Sequence, residues 1–149
     1  MADPFRSWQA WAVLAALFAA LTSLLAKLGL DGIGSNLATF LRTLVVVVLL
    51  PLLLAFTGEL QDPLSLPRRS LVFLLLSGVA TTVSWVCYYR ALQLGPLSQV
   101  APLDKLSVVL VAVLGVLVLG EQLDPRQWLA VLLMAGGAVL LAWPGAGGA

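Results

Sequence analysis

Arg42, Thr81, Trp85, Tyr88, Asp104 and Lys105 are the residues with chemistry to offer along runs that are otherwise apolar. Cations, a carboxylate, a hydroxyl and rings with polar handles make a binding set rather than a reacting one. A guanidinium and an ammonium attract carboxylate or phosphate groups. Aromatic faces wall a cavity that takes a cation or a flat ligand. The rest of the chain adds no catalytic centre: it has no His, one Cys, and no hydrolytic constellation, phosphate loop or metal-ligand spacing. No enzymatic activity, cofactor or metal is therefore expected. Lone Cys87 reads as a small core residue, without an intrachain disulfide partner.

The elements that carry these residues are too apolar for a soluble domain. Of 149 residues, 61% are hydrophobic and 10% charged, where soluble domains have about a quarter charged. The runs approach the ~20 residues that cross a bilayer. Net charge is +1, which points to no nucleic-acid partner. The expectation is an all-α integral membrane protein of one domain, a five-helix bundle with helices at about 8–28, 36–56, 70–94, 98–119 and 127–143. The first run follows Arg6 as a secretory signal would. It exceeds the usual core of about 7–15 residues, and Trp8 and Trp11 suit an interfacial anchor, so it reads as a retained helix.

Punctuation sets the joints. Gly29 to Ser35 reads as a turn with Ser35 as N-cap of the second helix, and Pro51 predicts a kink further along it. The connection Thr57 to Arg69 carries Glu59, Asp62, Pro63 and Pro67 and belongs outside the hydrocarbon. Leu94-Gly95-Pro96-Leu97 is so tight that the third and fourth helices must run side by side and antiparallel. Pro144-Gly145 stops the last helix, and the Gly/Ala tail beyond it reads as disordered. Ala135-Gly136-Gly137-Ala138 reads as a helix-contact surface. Glu121 is expected to bond backbone donors at the start of the last helix.

The third helix carries the clearest stripe: Ser77, Gly78, Thr81, Ser84, Trp85 and Tyr88 fall on one face. For Gly78 and Thr81 this reads as a packing seam. Tyr88 has two readings, a cavity wall or a belt aromatic at the interface. Arg42 lies roughly 9 Å beyond Asn36 and either snorkels outward or faces protein; Lys27 and Arg90 read as snorkelling residues. Asp104 and Lys105 are adjacent on a helix and diverge, so they are not expected to pair simply with each other. Pro102 loosens the helix around them. Tyr88 and Lys105 lie at similar depths from the turn between their helices, and Arg42 enters from the same side. Together they suggest a basic, aromatic-walled vestibule leading inward along the Thr81 face.

Tyr89-x-Ala91-Leu92, the Pro102 to Ser107 segment, Gly120-Glu121, the glycines of the last helix and the positions of Lys27 and Arg42 resemble the EamA-domain branch of the drug/metabolite transporter superfamily. The resemblance covers most of the chain. Members commonly have ten helices in two inverted halves, and this chain looks like one half. Small multidrug resistance relatives use a Glu in the middle of the first helix. Only Thr22 and Ser23 are polar inside the first helix here, so cation/proton antiport of that kind is not implied. The resemblance implies a multi-pass secondary transporter of the inner membrane, moving a small polar or amphipathic metabolite. Its partners would be the lipid bilayer, a small-molecule substrate and a second, antiparallel copy in a homodimer. Two alternatives remain: a flippase, or flippase subunit, for a lipid-linked metabolite, and a non-transporting membrane subunit.

Orientation is weakly specified. Arg6, Arg68, Arg69 and Arg126 collect on one side; Lys27, Arg42, Arg90 and Lys105 fall toward the other, four against four. Reporter fusions at the C-terminus should therefore show both cytoplasmic and external populations. A single orientation that survives moving one Arg would rule out an antiparallel homodimer.

Overall fold

The computed structural model describes residues 7–59 and 66–143. The readings of Arg6, Asp62, Pro63, Pro144-Gly145 and the Gly/Ala tail lie outside the described residues. The described chain is all-helical: α1 Trp8–Gly29, α2 Ser35–Thr57, α3 Arg68–Leu94, α4 Leu97–Asp104, α5 Leu106–Leu119 and α6 Pro125–Ala142. Five spans are long and apolar enough to cross a membrane, with Leu97–Leu119 counting as one. The chain divides into two compact units, one running Leu25–Gln93 and the other holding α1 through Leu24 with α4, α5 and α6.

The unit Leu25–Gln93 is organised around one end of α3. The last four carbonyls of a helix have no partner within it. The Lys27 ammonium donates to one of them, the Leu92 carbonyl. The Gln93 side-chain amide donates to the Ile33 carbonyl at 2.7 Å, so the α1–α2 turn and the end of α3 are joined from both directions. Leu30, Ser35, Thr39, Tyr89 and Leu92 are buried here, Leu92 completely. Lys27, expected to snorkel, is instead held by the backbone of α3, because a helix C-terminus is where a cation is favoured.

Ser35 is not the N-cap of α2. Gly34 takes that place with extended backbone, φ −64° and ψ 138°, and its carbonyl already accepts the Ala38 N–H at 3.0 Å. Ser35 is thus the first helical residue, and its carbonyl accepts the Thr39 hydroxyl at 2.8 Å. α2 continues through Pro51 to Thr57 as one helix. It ends on Gly58 at φ 71°, and the next residue's N–H returns to the Leu54 carbonyl at 3.2 Å. A side chain adopts that left-handed backbone at a cost, which suits glycine.

In the other unit α6 packs along α4 and α5. The fourth span, read as a continuous helix over 98–119, is divided at Lys105. Pro102 brings no N–H to the ladder, and two short three-residue bonds follow: Lys105 N–H to the Pro102 carbonyl and Val108 N–H to the Lys105 carbonyl, both 3.0 Å. Lys105 Nζ pairs with Asp104 Oδ2 at 3.1 Å, contrary to the expectation for adjacent residues on a regular helix.

α5 ends on Gly120 at φ 70°, and the N–H groups of Gly120 and Glu121 both reach the Gly115 carbonyl. The Glu121 side chain then folds back over Gly115, where an added Cβ would lie 2.6 Å from Oε2. It does not cap the last helix as expected. Asp124 does so from the adjacent N-cap position: its Oδ1 accepts the Gln127 N–H and Gln127 Oε1 accepts the Asp124 N–H, each at 2.8 Å. Pro125 follows at the first helical position, where its missing N–H costs nothing.

Gly120→Ala should lower stability by about 1 kcal/mol, because alanine must adopt the left-handed backbone. Gly115→Ala should change it by less than about 0.5 kcal/mol, since only the mobile end of Glu121 must move and alanine favours the helix. Thermal unfolding in detergent checks the order; equal effects would remove Gly120 as the stop of α5.

Candidate functional site

Arg42 is the eighth residue of α2, about 10 Å beyond its first residue. Its guanidinium carbon stands 4.1 Å from the centre of the Trp85 ring and 5.8 Å from that of Tyr89. Trp85 and Tyr89 are four apart on α3 and share a face, so both reach one partner. Tyr89 meets Tyr88 edge-on, with ring centres 6.5 Å apart and planes at 70°. Tyr89 is 4% exposed, while Arg42, Trp85 and Tyr88 are half-buried. Of the two readings of Arg42, the structure selects the protein-facing one.

A lone Arg at a bilayer centre costs about 2.5–3.5 kcal/mol on the insertion scale. A cation over a ring returns about 0.5–2 kcal/mol, with desolvated pairs at the upper end. Arg42 lies short of the centre, so its cost is smaller, and stacking offsets part of it. No described residue gives Arg42 a hydrogen bond or ion pair. By contrast, Arg90 in the same unit donates to Gln93 Oε1 at 3.1 Å.

The remaining sequence-derived residues fall elsewhere. Thr81 is exposed, and its hydroxyl donates to the Ser77 carbonyl one turn back at 2.9 Å, which leaves only oxygen lone pairs for a ligand. An added Cβ at Gly78 would meet nothing within 4 Å, so the seam read there is not filled by the described residues. Asp104 and Lys105 belong to the other unit. There Lys105 lies on a groove of about 710 Å³ between α1 and α4, walled by Ala15, Ala19, Ser23, Ala101 and Pro102. A second groove, about 510 Å³, runs along α6 past Ala135, Gly136, Val139 and Trp143.

Tyr89 was missed by the sequence reading. Trp85 to Tyr88 and Trp85 to Tyr89 are both spacings that share a helix face, and the hydroxyl-bearing stripe favoured the first. The signal that could have found it is the i, i+4 pairing of two large rings opposite a lone Arg.

Five spans long and apolar enough to cross a bilayer define a multi-pass membrane protein. Residues 6–143 match the EamA-like transporter family, and the chain belongs to that family of membrane transporters. It is 52% identical over 137 residues to an "uncharacterized transporter in cobO 3'region" of a Sinorhizobium species, covering 92% of this chain and 97% of that one. It is 36% identical over 133 residues to an uncharacterized protein of Pseudomonas aeruginosa, covering 89% of this chain but 44% of that longer one. No solved structure matches the chain.

The stacked pair can be weighed by a double-mutant cycle. Trp85→Leu should destabilise, Trp85→Phe less so, and Arg42→Leu combined with Trp85→Leu should show a coupling of about 1 kcal/mol. Additive losses in thermal unfolding would mean that the two side chains do not support each other.

Proposed function

We propose that the protein is a secondary transporter that exports or exchanges a small polar or amphipathic metabolite across the inner membrane, working as an antiparallel homodimer. The observation that carries this reading is the length relation: the aligned region spans nearly all of one relative and less than half of the other. A five-span unit can thus make up nearly a whole relative or be part of a longer chain. Alternating access is commonly built from two inverted repeats around a midplane site. Five spans and an even Lys/Arg distribution suit a unit that pairs with an inverted copy.

α6 is the proposed contact surface. An added Cβ at Gly136 or Gly137 meets nothing within 4 Å, so their smallness serves no packing inside the described chain. Small residues let a second backbone approach. In the Leu25–Gln93 unit Arg42, Trp85 and Tyr88 are the proposed substrate contacts, with Thr81 offering an acceptor. In the other unit they are Asp104 and Lys105. The apolar groove beside Lys105 favours one alternative, a flippase for a lipid-linked metabolite, since its alanine walls suit an alkyl chain.

Purified protein in liposomes, screened over a metabolite panel, should accumulate solute. Competition by lipid-linked head groups in place of water-soluble metabolites would select the flippase. Arg42→Ala and Lys105→Ala should each raise the half-saturating concentration several-fold, and wild-type kinetics in both would remove these residues from the mechanism. Gly137→Leu should reduce both the cross-linked dimer and transport while thermal unfolding of the monomer changes little. An unchanged dimer would take α6 out of the interface.

A further inference from the structure

We infer that Arg42 is a preorganised receptor for a bidentate oxyanion, a carboxylate or phosphate group, with Trp85 and Tyr89 as the residues that position it. The inference rests on the transporter reading only in taking that anion to be part of the substrate.

Three observations carry it. First, stacking uses the flat face of a guanidinium and leaves its edge, a fork of N–H donors matched to two oxygens of one anion. The Arg42 guanidinium carbon lies over both rings, 4.1 Å from the centre of Trp85 and 5.8 Å from that of Tyr89. Second, Lys27 and Arg90 of the same unit use their donors on protein, the Leu92 carbonyl and Gln93; among the described residues Arg68 and Arg69 do not, but they are exposed at the start of α3, whereas Arg42 is half-buried and no described residue bonds to it. Third, the rings are themselves held. Tyr89 is 4% exposed and braced edge-on by Tyr88, so the guanidinium loses little further freedom when an anion arrives. A cation that needed only shielding from lipid would be served as well by a neighbouring carboxylate. Rings instead hold it in place and leave its charge unneutralised.

The two possible sources of the anion, a free organic anion and a lipid head group, share this chemistry and are separated by experiment. The probe protein keeps Trp85 as its only tryptophan, with Trp8, Trp11, Trp128 and Trp143 changed to Phe, in a phospholipid-free maltoside detergent. Benzoate and phenylphosphate should change Trp85 emission saturably, and neutral benzamide should not. Arg42→Lys should weaken benzoate about tenfold or more, since it keeps the charge but loses the fork. Tyr89→Leu should weaken it several-fold and Tyr89→Phe should restore it. Equilibrium dialysis of labelled benzoate with the unaltered chain, and with each variant in that background, covers the case in which the single-tryptophan protein fails to fold.

Competition by added anionic phospholipid assigns the site to a head group; its absence assigns it to a free anion. Benzamide binding as well as benzoate, or Arg42→Lys binding like the wild type, overturns the receptor. The transporter reading is tested separately in liposomes. Anion binding without solute movement overturns that reading and leaves the receptor standing. Transport that ignores every carboxylate and phosphate compound overturns the receptor alone.

Discussion

Inside hydrocarbon every backbone N–H and C=O must find a partner within the protein, because there is no water to supply one. Several described helix ends answer this constraint. The Leu92 carbonyl takes the Lys27 ammonium, the Ile33 carbonyl takes Gln93, and Asp124 with Gln127 closes the start of α6. Gly58 and Gly120 turn the chain so that following N–H groups fold back onto Leu54 and Gly115. Hydroxyls within the spans are bound in the same way: Ser23, Thr39, Thr43, Thr81 and Thr82 each donate to a carbonyl one turn back. Arg42 differs from these groups: half-buried, it has two rings and no hydrogen bond from a described residue.

The same constraint explains the division of the fourth span. Pro102 removes one donor, and the backbone tightens at Lys105, whose N–H bonds the Pro102 carbonyl. Lys105 and Asp104 beside it form a pair whose side chains remain 57% and 35% exposed. An ion pair that open contributes little to stability. Its value in the proposed mechanism lies instead in holding a charge beside an apolar groove.

The number of spans was legible because runs of apolar residues, bounded by Gly and Pro, leave little choice in a bilayer. Arg42 and Trp85 were legible as chemistry, a cation and an aromatic ring, though not as a contact. What escaped the sequence depends on one-residue differences in direction. Tyr89 rather than Tyr88 faces Arg42. Lys105 meets Asp104 at a point where the helix is interrupted. Glu121 lies over Gly115 because the left-handed Gly120 turns it back, while Asp124, three residues later, is at the position that caps α6. Periodicity places a residue on a face to within about one neighbour, and these contacts turn on that neighbour.

Packing gives the proposed dimer its physical motive. Among the described residues the buried hydrophobic ones are Leu30, Tyr89, Leu92 and Ala138, and most large apolar side chains are exposed. In water this would be untenable. In lipid, apolar exposure carries no penalty, and it gives helices no hydrophobic reason to associate. Association must then come from close backbone approach and from polar groups that have no other partner. α6 supplies the first through Gly136 and Gly137, which nothing in the described chain approaches. Arg42 supplies the second, and an anion bound there would tie ligand occupancy to the packing of α2 against the rings of α3. In the proposed mechanism the contact of Arg42 with the α3 rings lies at the substrate position, so occupancy and rearrangement would bear on the same contact.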